Sequence, residues 1–241
     1  MTPIRFIALR LTPYSDTRSI LTAYSREHGR VALSVAAGGG RRSGRVKALT
    51  LPLSLVEGVI TPRAGREIWN VSQLAPAGVF PSLHTDPVKQ MMAMFLAEML
   101  SVTLGSSGPD AAVFDFIEMS IDVLDKADAA STANFHICFL YQLAALLGIE
   151  PDMETYREGA VLDLREGIFR RLPPVVHSDW LPAEASKVAH SLARMRYGNM
   201  HCWRLNRTER GEIVDTILKY YSIHFAPLRS LRTLGVLRSL M

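Results

Sequence analysis

Cysteine is nearly absent: Cys138 and Cys202 are the only two in 241 residues. Two thiols so far apart make neither a disulfide framework nor a paired-cysteine metal knuckle, and the expected compartment is a reducing cytoplasm. Long apolar runs are missing too. The best, residues 91–104, is interrupted by Glu98 and falls short of the roughly 18 residues that cross a bilayer. Arg5 and Arg10 stand inside the first apolar segment, which argues against a signal peptide. No nucleotide cradle is present either. Gly39 and Gly44 have the spacing of a Walker A loop, yet Arg45 and Val46 occupy the places of its Lys and hydroxyl residue. The third glycine of a dinucleotide fingerprint is replaced by Ser43. Neither a GxSxG elbow nor an HExxH pair occurs. What remains is an ordinary globular composition, 48% hydrophobic and 21% charged.

The net charge of +4 is unevenly spread. Residues 1–82 hold eleven Arg/Lys against four Asp/Glu, a balance of +7. Residues 83–203 hold nine against sixteen, −7, and residues 204–241 seven against three, +4. Such asymmetry points to an anionic partner for the first segment. That segment reads as five strands, near residues 4–11, 18–24, 31–37, 49–60 and 67–74, with a turn at Gly29 and an edge or bulge at Pro52 and Gly58. Five strands in eighty residues predict a small antiparallel β-barrel, an OB-fold or an SH3-like alternative. Between the third and fourth strands lies Gly38-Gly39-Gly40-Arg41-Arg42-Ser43-Gly44-Arg45-Val46-Lys47. Its glycines and cations predict a mobile basic loop that closes on phosphates.

From Asp86-Pro87 the period becomes helical. Helices are expected from there to about residue 104, after Asp110, over 133–147, 182–195, 206–223 and 227–240, with a capping box at Asn206 and Glu209. A small hairpin is expected at 160–164 and 167–172. The predicted class is therefore α+β: a barrel domain at 1–82, then a helical domain at 83–241 with an irregular insert at about 149–181.

No group of residues demands catalysis. Four carboxylates on the second helix, from Asp115 to Asp125, have the spacing of a solvated face. His136, Cys138, His201 and Cys202 would have to meet in space to hold zinc. Nucleic-acid binding fares better, because single-strand binders combine a cationic groove with aromatic platforms. Arg41, Arg42, Arg45 and Lys47 are the candidate phosphate contacts, widened by Arg18, Arg30 and Arg66, with Tyr14, Tyr24 and Trp69 interleaved. Phe139, Leu143 and Leu147 recur at four-residue spacing and are candidates for a partner groove. Two other classes stay open. One is a helical transcription regulator reading duplex DNA with residues 206–223, and the other an enzyme assembled from Asp163, His177 and His201.

With those residues in view, the chain resembles the RecO family of bacterial recombination mediators. The resemblance rests on Tyr14-Ser15-Asp16, His28-Gly29-Arg30-Val31, the basic stretch to Lys47 leading into Leu49-Thr50-Leu51-Pro52-Leu53, and Phe95-Leu96-Ala97-Glu98. It continues through Asn134-Phe135-His136, Leu146-Leu147-Gly148 and Tyr220-Tyr221-Ser222-Ile223-His224. It implies an OB-fold followed by a helical domain, binding of single- and double-stranded DNA, and strand annealing. It also implies contact with RecR and with the acidic tail of the single-strand DNA-binding protein (SSB), so that RecA is loaded at gaps. A cytoplasmic, nucleoid-associated, non-enzymatic protein is expected. Many members carry two CxxC pairs in the insert; this chain has none between Leu147 and His201, so no zinc or other cofactor is expected.

Overall fold

The computed structural model describes residues 1–36, 41–62, 65–105, 108–225, 228, 231 and 233–240. They form two compact units, one of residues 1–126 with 231–240, the other of residues 127–230. The first unit thus runs past the barrel and includes the segment to residue 126.

In the first unit, β1 (Thr2–Ser15), β2 (Arg18–Ser25), β3 (Gly29–Ala36), β4 (Leu55–Thr61) and β5 (Ile68–Pro76) close into a barrel in the order β1-β2-β3-β5-β4. All pairs are antiparallel except β3 with β5, where Ala32, Leu33 and Ser34 run parallel to Ile68, Trp69 and Asn70. This is the OB arrangement expected. Alternation drives it: Val31, Leu33 and Val35 of β3 turn inward, meeting Phe6, Leu21 and Val56 in one core. Gly29 takes the turn between β2 and β3 at φ +64°, and a Cβ there would meet the Gly108 carbonyl carbon at 2.6 Å. The irregularity expected at Gly58 is present. Gln73 (φ 54°) and Leu74 face it across the β4–β5 ladder, a bulge in β5.

The Gly/Arg stretch is corrected by the structure. Gly38, Gly39 and Gly40 lie outside the described residues, but Arg41–Leu49 is a helix, α1, not a loop. Leu49 joins the barrel core and Val46 packs against it, so burial of one side fixes a segment whose composition suggested a turn. Pro52 precedes β4 in a turn, which moves the strand start from 49 to Leu55.

Two helices complete this unit's middle. α2 (Pro87–Thr103) is capped by Asp86, whose Oδ1 accepts from the Val88 and Lys89 amides at 2.8 and 3.1 Å. α3 (Ala111–Lys126) is capped in the same way by Asp110. Asp125 ties the post-barrel segment down, accepting from the Ser82 and Leu83 amides at 2.8 and 2.7 Å, while buried Lys89 donates to its backbone oxygen. A last helix, Leu234–Leu240, returns to α2. Thr233, just before it, donates its amide and hydroxyl to Glu98 Oε2.

The second unit contains α4 (Ala129–Leu146), β6 (Val161–Asp163), β7 (Ile168–Arg170), β8 (Trp180–Leu181), α5 (Ala183–Leu192) and α6 (Arg207–His224); α7 (Leu234–Leu240) is the helix that belongs to the first. α4 starts four residues earlier than its periodicity suggested, because Asp128 Oδ1 caps the Ser131 amide at 2.8 Å. Gly148 follows at φ +69°. The expected hairpin is β6 with β7, and the two-residue β8, too short to leave a pattern, makes a third strand. The Asn206–Glu209 capping box is formed.

Candidate nucleic-acid interface

The cations of the first unit fall into distinct environments. Arg5 is hydrogen-bonded to Glu118, and Arg26 Nη1 lies 2.6 Å from Asp115 Oδ1, so both carry a carboxylate on α3. Arg18 is different. It opens β2, is exposed, and its Nη1 donates to Ser34 Oγ (3.1 Å) and Asn70 Oδ1 (3.3 Å). Both acceptors are neutral, so the guanidinium is oriented without its charge being cancelled. Ser34 and Asn70 are neighbours because β3 and β5 run parallel, a pairing between residues that sequence periodicity does not disclose.

Register locates the other candidates. Arg18 pairs with Ala36, the last residue of β3, so it stands at the end of the barrel where the chain passes on to α1. Arg41, Arg42, Arg45 and Lys47 all lie in α1, with Lys47 exposed in its last turn. Arg30 is near the opposite end of β3, six residues from Ala36, or about 20 Å at the rise of a strand. Its Nη1 donates to the Gly105 carbonyl at 3.1 Å, again a neutral acceptor. Arg66, two residues ahead of β5, belongs to the Arg30 side, because Ile68 pairs with Ala32. Arg18 therefore stands at one end of the barrel and Arg30 with Arg66 toward the other, so these three do not form one path.

The aromatics separate as cleanly. Tyr24 is wholly buried, its hydroxyl 3.5 Å from the Gly108 carbonyl, and burial raises its pKa; it is core. Trp69 is half-buried, meets His28 edge-on at 5.2 Å and donates its indole N–H to the Arg66 carbonyl. Tyr14 is 71% exposed. It lies near the end of β1, between the Pro13–Ser19 and Ser15–Arg18 pairs, so an open ring and an uncancelled guanidinium share one hairpin tip. Exposed Arg10 lies on the same arm of β1, and sequence patterning gave no reason to single it out.

The proposed partner groove in the second unit is not a surface. Phe139 is 1% exposed and Leu143 is fully buried, both inside α4's packing; only Leu147, at the helix C-cap, is half-buried. Their four-residue spacing is that of a core stripe. Cys138 is buried, with its thiol pKa pushed up to about 12 by burial, while exposed Cys202 has its sulfur 3.3 Å from its neighbour His201 Nε2. Among the described residues no three His, Cys, Asp or Glu side chains are grouped to hold a metal ion, and no helix is long and apolar enough to cross a membrane.

A closed five-stranded barrel followed by a mostly helical region places the chain among OB-barrel proteins with a helical C-terminal part. Two family models match in tandem: Recombination protein O N terminal over residues 1–80 and Recombination protein O C terminal over residues 84–232. The chain is 33% identical over 234 residues to the DNA repair protein RecO of Phocaeicola vulgatus, covering 97% of this chain and 96% of that one. It is 31% identical to the RecO of Bacteroides fragilis over 235 residues, 97% and 96% of the two chains. It is also 31% identical to the RecO of Porphyromonas gingivalis over 242 residues, 98% and 97%. The chain belongs to the RecO family of DNA repair proteins.

Proposed function

We propose that this protein binds single- and double-stranded DNA, anneals complementary strands, and helps load RecA on SSB-coated DNA during recombinational repair. RecR and the SSB tail are its protein partners in this reading. It acts without an enzymatic step, zinc or another cofactor, in the cytoplasm at the nucleoid. The observation that carries the DNA-binding part is the pairing of exposed Tyr14 with Arg18, whose guanidinium is held among the described residues by the neutral Ser34 and Asn70, at the α1 end of the barrel. A stacking ring beside an oriented cation is what a sequence-tolerant strand grip requires, and OB barrels use the loop between their first two strands for it. The cations of α1 extend this grip. Arg30 and Arg66 are contacts only for a strand long enough to cross the barrel.

The test is annealing of complementary oligonucleotides coated with the cognate SSB, followed by fluorescence resonance energy transfer. Wild type accelerates annealing, and Tyr14→Ala/Arg18→Gln is slowed with its melting temperature unchanged. Wild-type annealing by that variant would refute the site, and strand hydrolysis by wild type would refute the function.

A further inference from the structure

Helix α3 carries four carboxylates, and the DNA reading uses none of them. Their partners differ. Asp125 is buried and bound to the Ser82 and Leu83 amides. Asp122 Oδ2 lies 2.7 Å from Lys126 Nζ, one turn on in the same helix. Asp115 and Glu118 instead reach the barrel: Asp115 Oδ1 is 2.6 Å from Arg26 Nη1, and Glu118 is hydrogen-bonded to Arg5.

Register brings those two arginines to one end of the barrel. Arg5 precedes Phe6, which pairs with Ser25, and Arg26 follows Ser25, so they stand level on neighbouring strands. Ser25 also pairs with Gly29, which sets exposed Arg30 at the same end. Arg18 opens β2 at the other end, roughly 23 Å away at the rise of a strand. The barrel therefore has a second cluster of cations, and α3 occupies two of them. Arg30 differs from its neighbours there, because it donates to the neutral Gly105 carbonyl.

Stability does not require these pairs. The four side chains keep between 29% and 50% of their surface in solvent, where water and salt screen an ion pair. α3 is held by its other face, through buried Val113, Phe114, Ile117 and Ile121. Its approach is fixed by the Gly29 turn, where a Cβ would strike the Gly108 carbonyl. For a polyanion the pairs matter far more. A phosphate arriving at Arg5 or Arg26 must displace a carboxylate, and the freed carboxylate takes a cation from solution as the phosphate gives one up. The exchange then releases no net counterion, which is the driving force of phosphate binding. Resting on the DNA reading above, we infer that Asp115 and Glu118 are specificity-determining residues, which withhold Arg5 and Arg26 from nucleic-acid phosphates. They confine the barrel's grip to cations held by neutral acceptors. Neutralising both opens a second phosphate-binding patch made of Arg5, Arg26 and Arg30.

The test is fluorescence anisotropy of the full-length chain with labelled oligothymidylate of about sixteen nucleotides, the upper site size of one OB barrel. Asp115→Asn/Glu118→Gln is expected to bind more tightly than wild type at 50 mM salt. Its salt slope should be steeper by about 1.4, so that it loses roughly sevenfold more affinity than wild type by 200 mM. Adding Arg5→Gln/Arg26→Gln to that variant is expected to return the slope to the wild-type value, although the same arginine changes alone leave wild type unaltered. The exchanges are isosteric and in solvent, so melting temperatures should not move; Asp115→Ala/Glu118→Ala repeats the test if they do. Repulsion acting at long range from the carboxylates predicts a gain that survives loss of the two arginines, and that result would overturn the inference. An α3 variant no different from wild type, beside an Arg18→Gln that flattens the slope, would overturn it while leaving the DNA reading in place. Wild type that binds no strand would overturn both.

Discussion

Replacing Arg18 by Gln removes a cation that no carboxylate cancels among the described residues, whereas replacing Arg5 or Arg26 removes one already matched by Glu118 or Asp115. The three changes are identical in formal charge, so any difference between them reports environment. Counterion release gives the scale: each phosphate contact contributes about 0.7 to the slope of log affinity against log salt on single strands. Arg18→Gln should flatten that slope by about 0.7, so between 50 and 200 mM salt it loses roughly 2.6-fold less affinity than wild type. Removing all four α1 cations should flatten it by about 2.8, a difference of roughly fiftyfold over the same range. Arg5→Gln and Arg26→Gln should leave the slope where it was. Length adds a second dimension, because Arg30 and Arg66 lie about 20 Å from the Arg18 end. Their substitution should matter on strands of about sixteen nucleotides and not on about four, the range of site sizes for one OB barrel. Fluorescence anisotropy of labelled oligothymidylate at several salt concentrations measures every term. Equal slopes for Arg5→Gln, Arg26→Gln and Arg18→Gln would refute the division of cations into cancelled and available.

Three further outcomes are expected. Gly44 sits inside α1 with open space around its Cα, so Gly44→Ala should raise stability by about 0.5–1 kcal/mol in thermal or urea unfolding; a loss would mean the segment is not helical in solution. Leu143→Ala should cost about 2–5 kcal/mol, because it opens a cavity in a filled core, and unfolding monitored by circular dichroism at 222 nm should show it. His136, buried in α4 beside Arg210, has its pKa lowered to about 3 by burial first and by that guanidinium second. The unfolded chain therefore takes up the proton before the folded one does. Stability should fall as pH drops below about 6.5, by up to about 1.4 kcal/mol per unit until the folded pKa is reached, and His136→Leu should flatten that fall in melts between pH 7 and 5.

The barrel was legible in sequence because its strands alternate and their turns carry punctuation: Gly29 at a positive φ, Gly58 facing a bulge. The helix starts at Asp86-Pro87 and Asn206 were legible for the same reason, since a cap is a local arrangement. Helix α1 was hidden because local composition argued for a turn, while its stability comes from Val46 and Leu49 meeting a barrel core built from distant strands. The site followed the same rule. Residue types were readable, but the carboxylates that cancel Arg5 and Arg26 lie 113 and 89 residues away. Only the fold separates those arginines from Arg18. Phe139 and Leu143 show the converse, because helical spacing alone does not distinguish a core stripe from a groove.

The return of α7 to the first unit makes the second unit an insertion, joined to its host by two stretches of chain, after residue 126 and before residue 231. A protease cut at the earlier junction would yield a C-terminal fragment still carrying α7, with Leu237 buried and Thr233 bonded to Glu98. A cut at the later one would leave α7 on a separate piece docked by those same contacts. In neither case do the pieces separate by covalent logic alone. Limited digestion should therefore give two bands under denaturing conditions and a single species on a native column. Synthesis follows the same topology: α7 is made only after the whole second unit, so the first unit to begin folding must wait for a segment that lies beyond the other.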